Sequence, residues 1–225
     1  MKKLRQGIVE FRRTRRPEYA ATFARLALGQ APDALFVACS DSRVAPNVFA
    51  STEPGDLFVL RNMGNIVAPC GVNGSSESDE SEGAALEYSV FFLKVRDVIV
   101  CGHSECAAMR ALVNGRQKLE LKHMGSWLRH AQPALEQYES GKRASSVPAA
   151  HNQVGQLNVL LQLEHLRSYP FIRKAEEEGL LKLHAWWFDI AAADVYEWRS
   201  KTQSFTLVDE HSVQSGDSER LRPGP

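Results

Sequence analysis

The chain has 225 residues, 44% hydrophobic and 24% charged, a balance that buries one full core with some decoration. Lys plus Arg equals Asp plus Glu at 27 each, so no overall field draws the chain to nucleic acid or to an anionic membrane. No apolar run reaches the ~18 residues of a membrane span. The basic start runs into Gly7-Ile8-Val9-Glu10 rather than an apolar signal region. Together these predict a cytoplasmic protein with reduced thiols, and four cysteines that serve as ligands or core residues.

Residues 2–28 read as a helical arm broken at Arg16-Pro17. Lys2, Lys3, Arg5, Arg12, Arg13, Arg15 and Arg16 make it basic, while Leu4, Ile8 and Phe11 recur at helical spacing. No aromatic stacking platform accompanies the charge, so it reads as the solvated face of an amphipathic helix rather than a nucleic-acid arm. A loop at 29–33 leads into Ala34 to Cys39, a continuous apolar run that predicts a strand buried on both faces. Similar runs at Leu57 to Leu60, Asp97 to Cys101 and Leu181 to Phe188 predict further strands, with helices at Glu82 to Val95 and Val154 to Arg167. The alternation implies an α/β fold, a mostly parallel sheet flanked by helices with an N-terminal helical arm. Val72 to Glu82 is acidic and Ser/Gly-rich, and reads as a solvated loop, as does the tail from Val213. One domain is expected over 1–211, with a disordered tail at 212–225.

Two motifs begin where the first and third strands end. They are Cys39-Ser40-Asp41-Ser42-Arg43 and Cys101-Gly102-His103-Ser104-Glu105-Cys106. Ligand sites of open α/β sheets lie at such ends. His103 and Cys106, three apart in a strand-to-helix turn, can converge on one metal, and Cys39 can join from the neighbouring strand. Thiolates plus imidazole select zinc, and three protein ligands leave a position open for catalysis. On spacing alone the alternatives stand: a strand-end cysteine can be a small core residue, and His103 a satisfied turn residue. Cys101 reads as core, Cys70 as a loop thiol, and His165 as structural; the histidines outside the motif show no ligand spacing.

Cys-Ser-Asp-Ser-Arg-Val at 39–44 and Cys-Gly-His-Ser-x-Cys at 101–106 resemble the two signatures of the β-class carbonic anhydrases. Glu53 to Val59, Arg61-Asn62, Glu82 to Tyr88, Ser168 to Phe171 and Leu183 to Trp186 resemble further family segments, in order from about residue 2 to 209. The bacterial and cyanobacterial branches are the most similar.

The resemblance implies reversible hydration of carbon dioxide to bicarbonate and a proton by hydroxide on a zinc ion. It assigns the metal to Cys39, His103 and Cys106, and implies catalytic roles for Asp41 and Arg43. Arg43 is expected to hold Asp41 off the metal through a bidentate pair. Some family members carry a Trp and a Tyr that form a bicarbonate switch; those positions are Phe36 and Phe188 here, and Gln30 stands where the open-site members have Gln. An open zinc site is therefore expected, with Gln30, Phe58 and Tyr88 lining the substrate pocket, in part across a dimer. Ala107 replaces a family Gly as the substrate-oxygen N–H, where a positive φ would cost alanine more than glycine. The resemblance implies a homodimer or higher homo-oligomer, with a bacterial microcompartment as an alternative location; the balanced charge and the lack of an apolar span predict no nucleic-acid or membrane partner. Alternatives are a CS2/COS hydrolase on the same fold, or an inactive zinc-binding scaffold with Asp41 on the metal.

Overall fold

A computed structural model of the chain describes residues 1–78 and 80–214. It opens on α1 (Lys2–Glu10) and α2 (Arg16–Leu26), joined by a π-helical turn at Phe11–Arg15. The expected break at Arg16-Pro17 is absent. Pro17 follows directly on the π-helical turn, whose wider spacing leaves room for its ring, so the helix runs through it. No residue of α1 is buried, and Leu4 and Ile8 are 65% and 67% exposed. Among the described residues, the apolar stripe of α1 thus meets no partner.

Next come β1 (Ala34–Cys39), a short α3 (Pro46–Phe49), β2 (Leu57–Asn62), α4 (Glu80–Glu87) and β3 (Asp97–His103). The helix expected to reach Val95 is α4 plus a π turn at Tyr88–Phe92. Helices α5 (Ala107–Val113), α6 (Lys122–Trp127), α7 (Gln132–Glu139), α8 (Ala150–Ser168) and α9 (Pro170–Glu177) follow. The described chain closes with β4 (Lys182–Asp189), β5 (Asp194–Arg199), β6 (Ser204–Leu207) and α10 (Glu210–Gln214). Of the expected tail, residues 215–225 lie outside the described residues.

The six strands run in the order β2-β1-β3-β4-β5-β6, the first four parallel and the last two antiparallel. The mostly parallel sheet is as expected; β5 and β6 are not. They extend the sheet beyond β4, with β6 at its edge, and their mixed polar and apolar residues are a weaker signal than the apolar runs of β1 and β3.

Strand β1 is buried on both faces because each face has its own partners. Leu35 and Val37 pack with Val98 and Val100 of β3 and with Val159, Leu163 and Leu166 of α8. Phe36 and Ala38 point the other way, into a layer with Ile99, Cys101 and Phe188. A third cluster, including Met109, Leu112 and Leu157, fastens α5 to α8. This packing explains the glycine of the second motif: a Cβ at Gly102 would lie 2.5 Å from Val159 Cγ2, so only glycine lets α8 reach the end of β3.

The acidic 72–82 segment is not wholly solvated. A bridge between Cys70 and Ser76 ties its start. Glu82 is buried, its carboxylate accepting hydrogen bonds from the Ala68 N–H (2.7 Å) and Asn62 Nδ2 (3.3 Å). A carboxylate leaves water only when donors of this kind replace it.

Candidate metal centre

The chain leaves β1 for β2 on one side and β3 on the other, so strand order reverses between β1 and β3. Crevices form at that point of an open α/β sheet. Cys39 ends β1, His103 ends β3, and Cys106 caps α5. The three residues are buried, and their ligand atoms lie within 4.8 Å of one another. Predicted ligands from two distant motifs are thus brought together.

His103 Nδ1 lies 2.9 Å from the Ser104 carbonyl, which places the ring N–H on Nδ1 and the lone pair on Nε2. Nε2 is buried and, among the described residues, has no hydrogen-bond partner. Such an atom costs free energy unless something fills its lone pair. The two thiols beside it oppose each other. The Cys39 thiol is lowered by its hydrogen bond with Cys106, against burial, with help from His103 and the Gly64 N–H. Cys106 is pushed up by that same pairing and by burial. One negative charge is held and a second repelled, which a cation between the sulfurs would relieve. The donor set and the unfilled Nε2 both fit a metal ion.

Asp41 stands at the rim of this group, with Oδ2 4.0 Å from His103 Nε2. Arg43 grips it from three directions: Nε to Oδ1 at 2.9 Å, Nη2 to Oδ2 at 2.7 Å, and the backbone N–H to Oδ1 at 3.0 Å. These bonds hold the carboxyl well below the usual carboxylate range, outweighing its partial burial. Arg43 Nη2 also donates to the Glu105 carbonyl at 3.1 Å, tying the first motif to the second. Arg61 buttresses the first motif from beneath, donating to the carbonyls of Cys39 and Asp41.

Ala107 begins α5 and is not among the left-handed residues. The positive φ, 58°, falls two residues earlier at Glu105. The expected penalty for alanine at 107 is therefore absent. Gln30, Phe58 and Tyr88 are not brought to the ligands within one chain. Phe58 pairs with Leu35, four residues along β1 and β2 from the Cys39–Asn62 pair, or about 13 Å at a strand's rise. Gln30 and Tyr88 instead line an open groove of about 880 Å³ with Phe23, Leu28 and Phe92, and Phe58 meets Tyr88 at 5.8 Å between ring centroids. Phe36 and Phe188 sit in an aromatic layer, Phe188 stacked on Phe49 at 4.5 Å.

Of the remaining cysteines, burial raises the thiols of both Cys101 and Cys70, so neither is activated. His165 bonds Val67 and Gln162 in the interior. Sequence reasoning missed three contributors to the site. The Gly64 N–H lies 3.4 Å from Cys39 Sγ, and Gly64 takes φ 81° to do so; its place two residues after the Arg61-Asn62 pair was the available signal. His151 and Asn152, at the start of α8, bind Glu105, and nothing in the sequence connects them.

The chain matches the carbonic anhydrase family model over residues 34–195. It is 38% identical to a carbonic anhydrase of Pseudomonas aeruginosa, over 94% of this chain and 93% of that one. It is 34% identical to one of Synechococcus elongatus, over 95% of this chain and 77% of that one. Among solved structures, the β-carbonic anhydrase CcaA superposes with a TM-score of 0.84 at 34% identity, covering 93% of this chain and 92% of that one. Two tetrameric β-carbonic anhydrases of Sordaria macrospora are represented by a match with a TM-score of 0.72 at 28% identity, over 87% of this chain and 95% of that one. The chain belongs to the β class of the carbonic anhydrase family, and its reaction is the reversible hydration of carbon dioxide to bicarbonate and a proton.

Proposed function

We propose that this hydration runs at a zinc ion held by Cys39, His103 and Cys106, with Asp41 and Arg43 as the catalytic pair. The observation that carries the reading is the buried, unpartnered His103 Nε2 beside two mutually opposed thiols. Two thiolates and one imidazole are donors that zinc favours. Bound there, zinc would supply the Lewis acidity that makes water a nucleophile near neutral pH.

The residues of the chain do the rest. Arg43 keeps Asp41 ionised and fixes its plane. Asp41 Oδ2, at the rim of the ligand group, accepts a hydrogen bond from the attacking water and turns a lone pair toward the carbon of carbon dioxide. We assign the Ala107 N–H, free in the first turn of α5, to a substrate oxygen. The engagement of Asp41 by Arg43 favours an open, active site over the inactive scaffold, in which the carboxylate would join the ligands. No residue favours CS2 or COS hydrolysis.

We assign Gln30, Phe58 and Tyr88 to the pocket wall, contributed by a second copy of the chain. Their separation from the ligands and the uncovered stripe of α1 support a homodimer or larger assembly. We place the single domain at 1–211 and the protein in the cytoplasm. Four cysteines without a disulfide support that location, and among the described residues no helix is long and apolar enough to cross a membrane.

Asp41→Asn tests the pair. Zinc content should stay unchanged while the hydration rate falls about a hundredfold. Near-parental turnover with zinc intact would remove Asp41 from the mechanism.

A further inference from the structure

Glu105 stands between two of the ligands, and its φ of 58° is unfavourable for a residue with a side chain. Something must hold it there, and the start of α8 does. The Glu105 N–H donates to Asn152 Oδ1 at 2.8 Å, and Asn152 Nδ2 donates back to Glu105 Oε1 at 3.2 Å. His151 Nε2 lies 3.2 Å from that same oxygen, and Arg110 pairs with the other carboxylate oxygen. Backbone and side chain of Glu105 are thus gripped by one amide. The fixed carbonyl of Glu105 receives Arg43 Nη2 at 3.1 Å, and Arg43 holds Asp41.

We infer that Asn152 is a positioning residue for carbon dioxide hydration: by clamping Glu105 in the left-handed conformation, it fixes the carbonyl that anchors Arg43 and so sets the carboxylate of Asp41. The side-chain hydrogen bonds of Asn152 go to Glu105, and not to the ligands or Asp41. The inference rests on the Asp41–Arg43 assignment above. If that assignment is wrong, Asp41→Asn keeps full rate; if only the clamp is wrong, Asp41→Asn loses rate and Asn152→Ala does not.

The test compares Asn152→Ala, Glu105→Gly and the double variant in the zinc enzyme. It measures kcat and KM for hydration, zinc content, and amide hydrogen exchange across residues 103–108 and α8. Asn152→Ala should lower kcat about five- to tenfold, the loss expected for one to two positioning hydrogen bonds, with KM and zinc content little changed. Exchange should quicken at 104–107 and not along α8. On the Glu105→Gly background the Asn152→Ala penalty should shrink to less than about twofold, because glycine adopts a positive φ without a clamp. The inference is overturned by an unchanged kcat in Asn152→Ala, by an equal penalty on both backgrounds, or by exchange that quickens throughout α8.

Discussion

At the residue scale, the site places opposed demands on neighbouring side chains. The mutual hydrogen bond of Cys39 and Cys106 lowers the Cys39 thiol and raises that of Cys106, so the pair holds one negative charge more readily than two. Asp41 is held ionised by Arg43, which donates to both of its oxygens. The residue types were legible in the sequence, since two Cys-led motifs follow two apolar runs. The location of the backbone strain was not. A glycine-to-alanine change after Cys106 suggested strain at Ala107, yet the left-handed residue is Glu105 and Ala107 is helical. Restoring glycine there should therefore bring no gain. Ala107→Gly is expected to leave kcat within about twofold and to lower stability by up to ~1 kcal/mol through lost helix propensity. Stopped-flow rates beside a denaturation curve check this, and a severalfold rise in kcat would show that the turn wants glycine.

At the scale of elements, what escaped the sequence is what distant segments do to one another. Asp97, His184 and Glu197 belong to β3, β4 and β5, and no spacing rule joins them. In the fold, His184 Nε2 lies 2.7 Å from Asp97 Oδ1, and Nδ1 lies 3.3 Å from Glu197 Oε1. Burial lowers the imidazolium's pKa, but the two carboxylates outweigh it and raise His184 to about 9. An unfolded histidine titrates near 6.5. The folded chain therefore keeps a proton that the unfolded chain releases between these values. The resulting stabilisation is complete below about pH 6.5 and is lost as pH rises through about 9. His184→Gln should destabilise the fold by about 1–2 kcal/mol at pH 6, allowing for partial solvent screening, and by much less at pH 10. Denaturant unfolding at both pH values checks it; an equal loss at both would show that the imidazole acts by packing alone. The burial of Glu82 was hidden for the same reason, because its donors, Ala68 and Asn62, precede it by more than a dozen residues.

At the scale of the whole molecule, the fold places chemistry by strand order. β1 and β3 are adjacent, so motifs some sixty residues apart in the chain share one crevice. The parallel strands β1 and β3, with their continuous apolar runs, were readable because both faces are buried; β5 and β6 were not, because their mixed pattern serves a half-buried strand and a loop alike. The pocket residues Gln30, Phe58 and Tyr88 lie toward the far end of the sheet from the ligands, so a second copy of the chain is what would bring the two halves of the proposed site together. Most direct for the zinc assignment is stopped-flow carbon dioxide hydration between about pH 7 and 9, with zinc measured on the same sample before and after chelation. We predict about one zinc per chain, hydration that rises with pH, loss of rate on chelation, and recovery when zinc returns. Stoichiometric zinc with no hydration at any pH, or full hydration after the metal is removed, would contradict it.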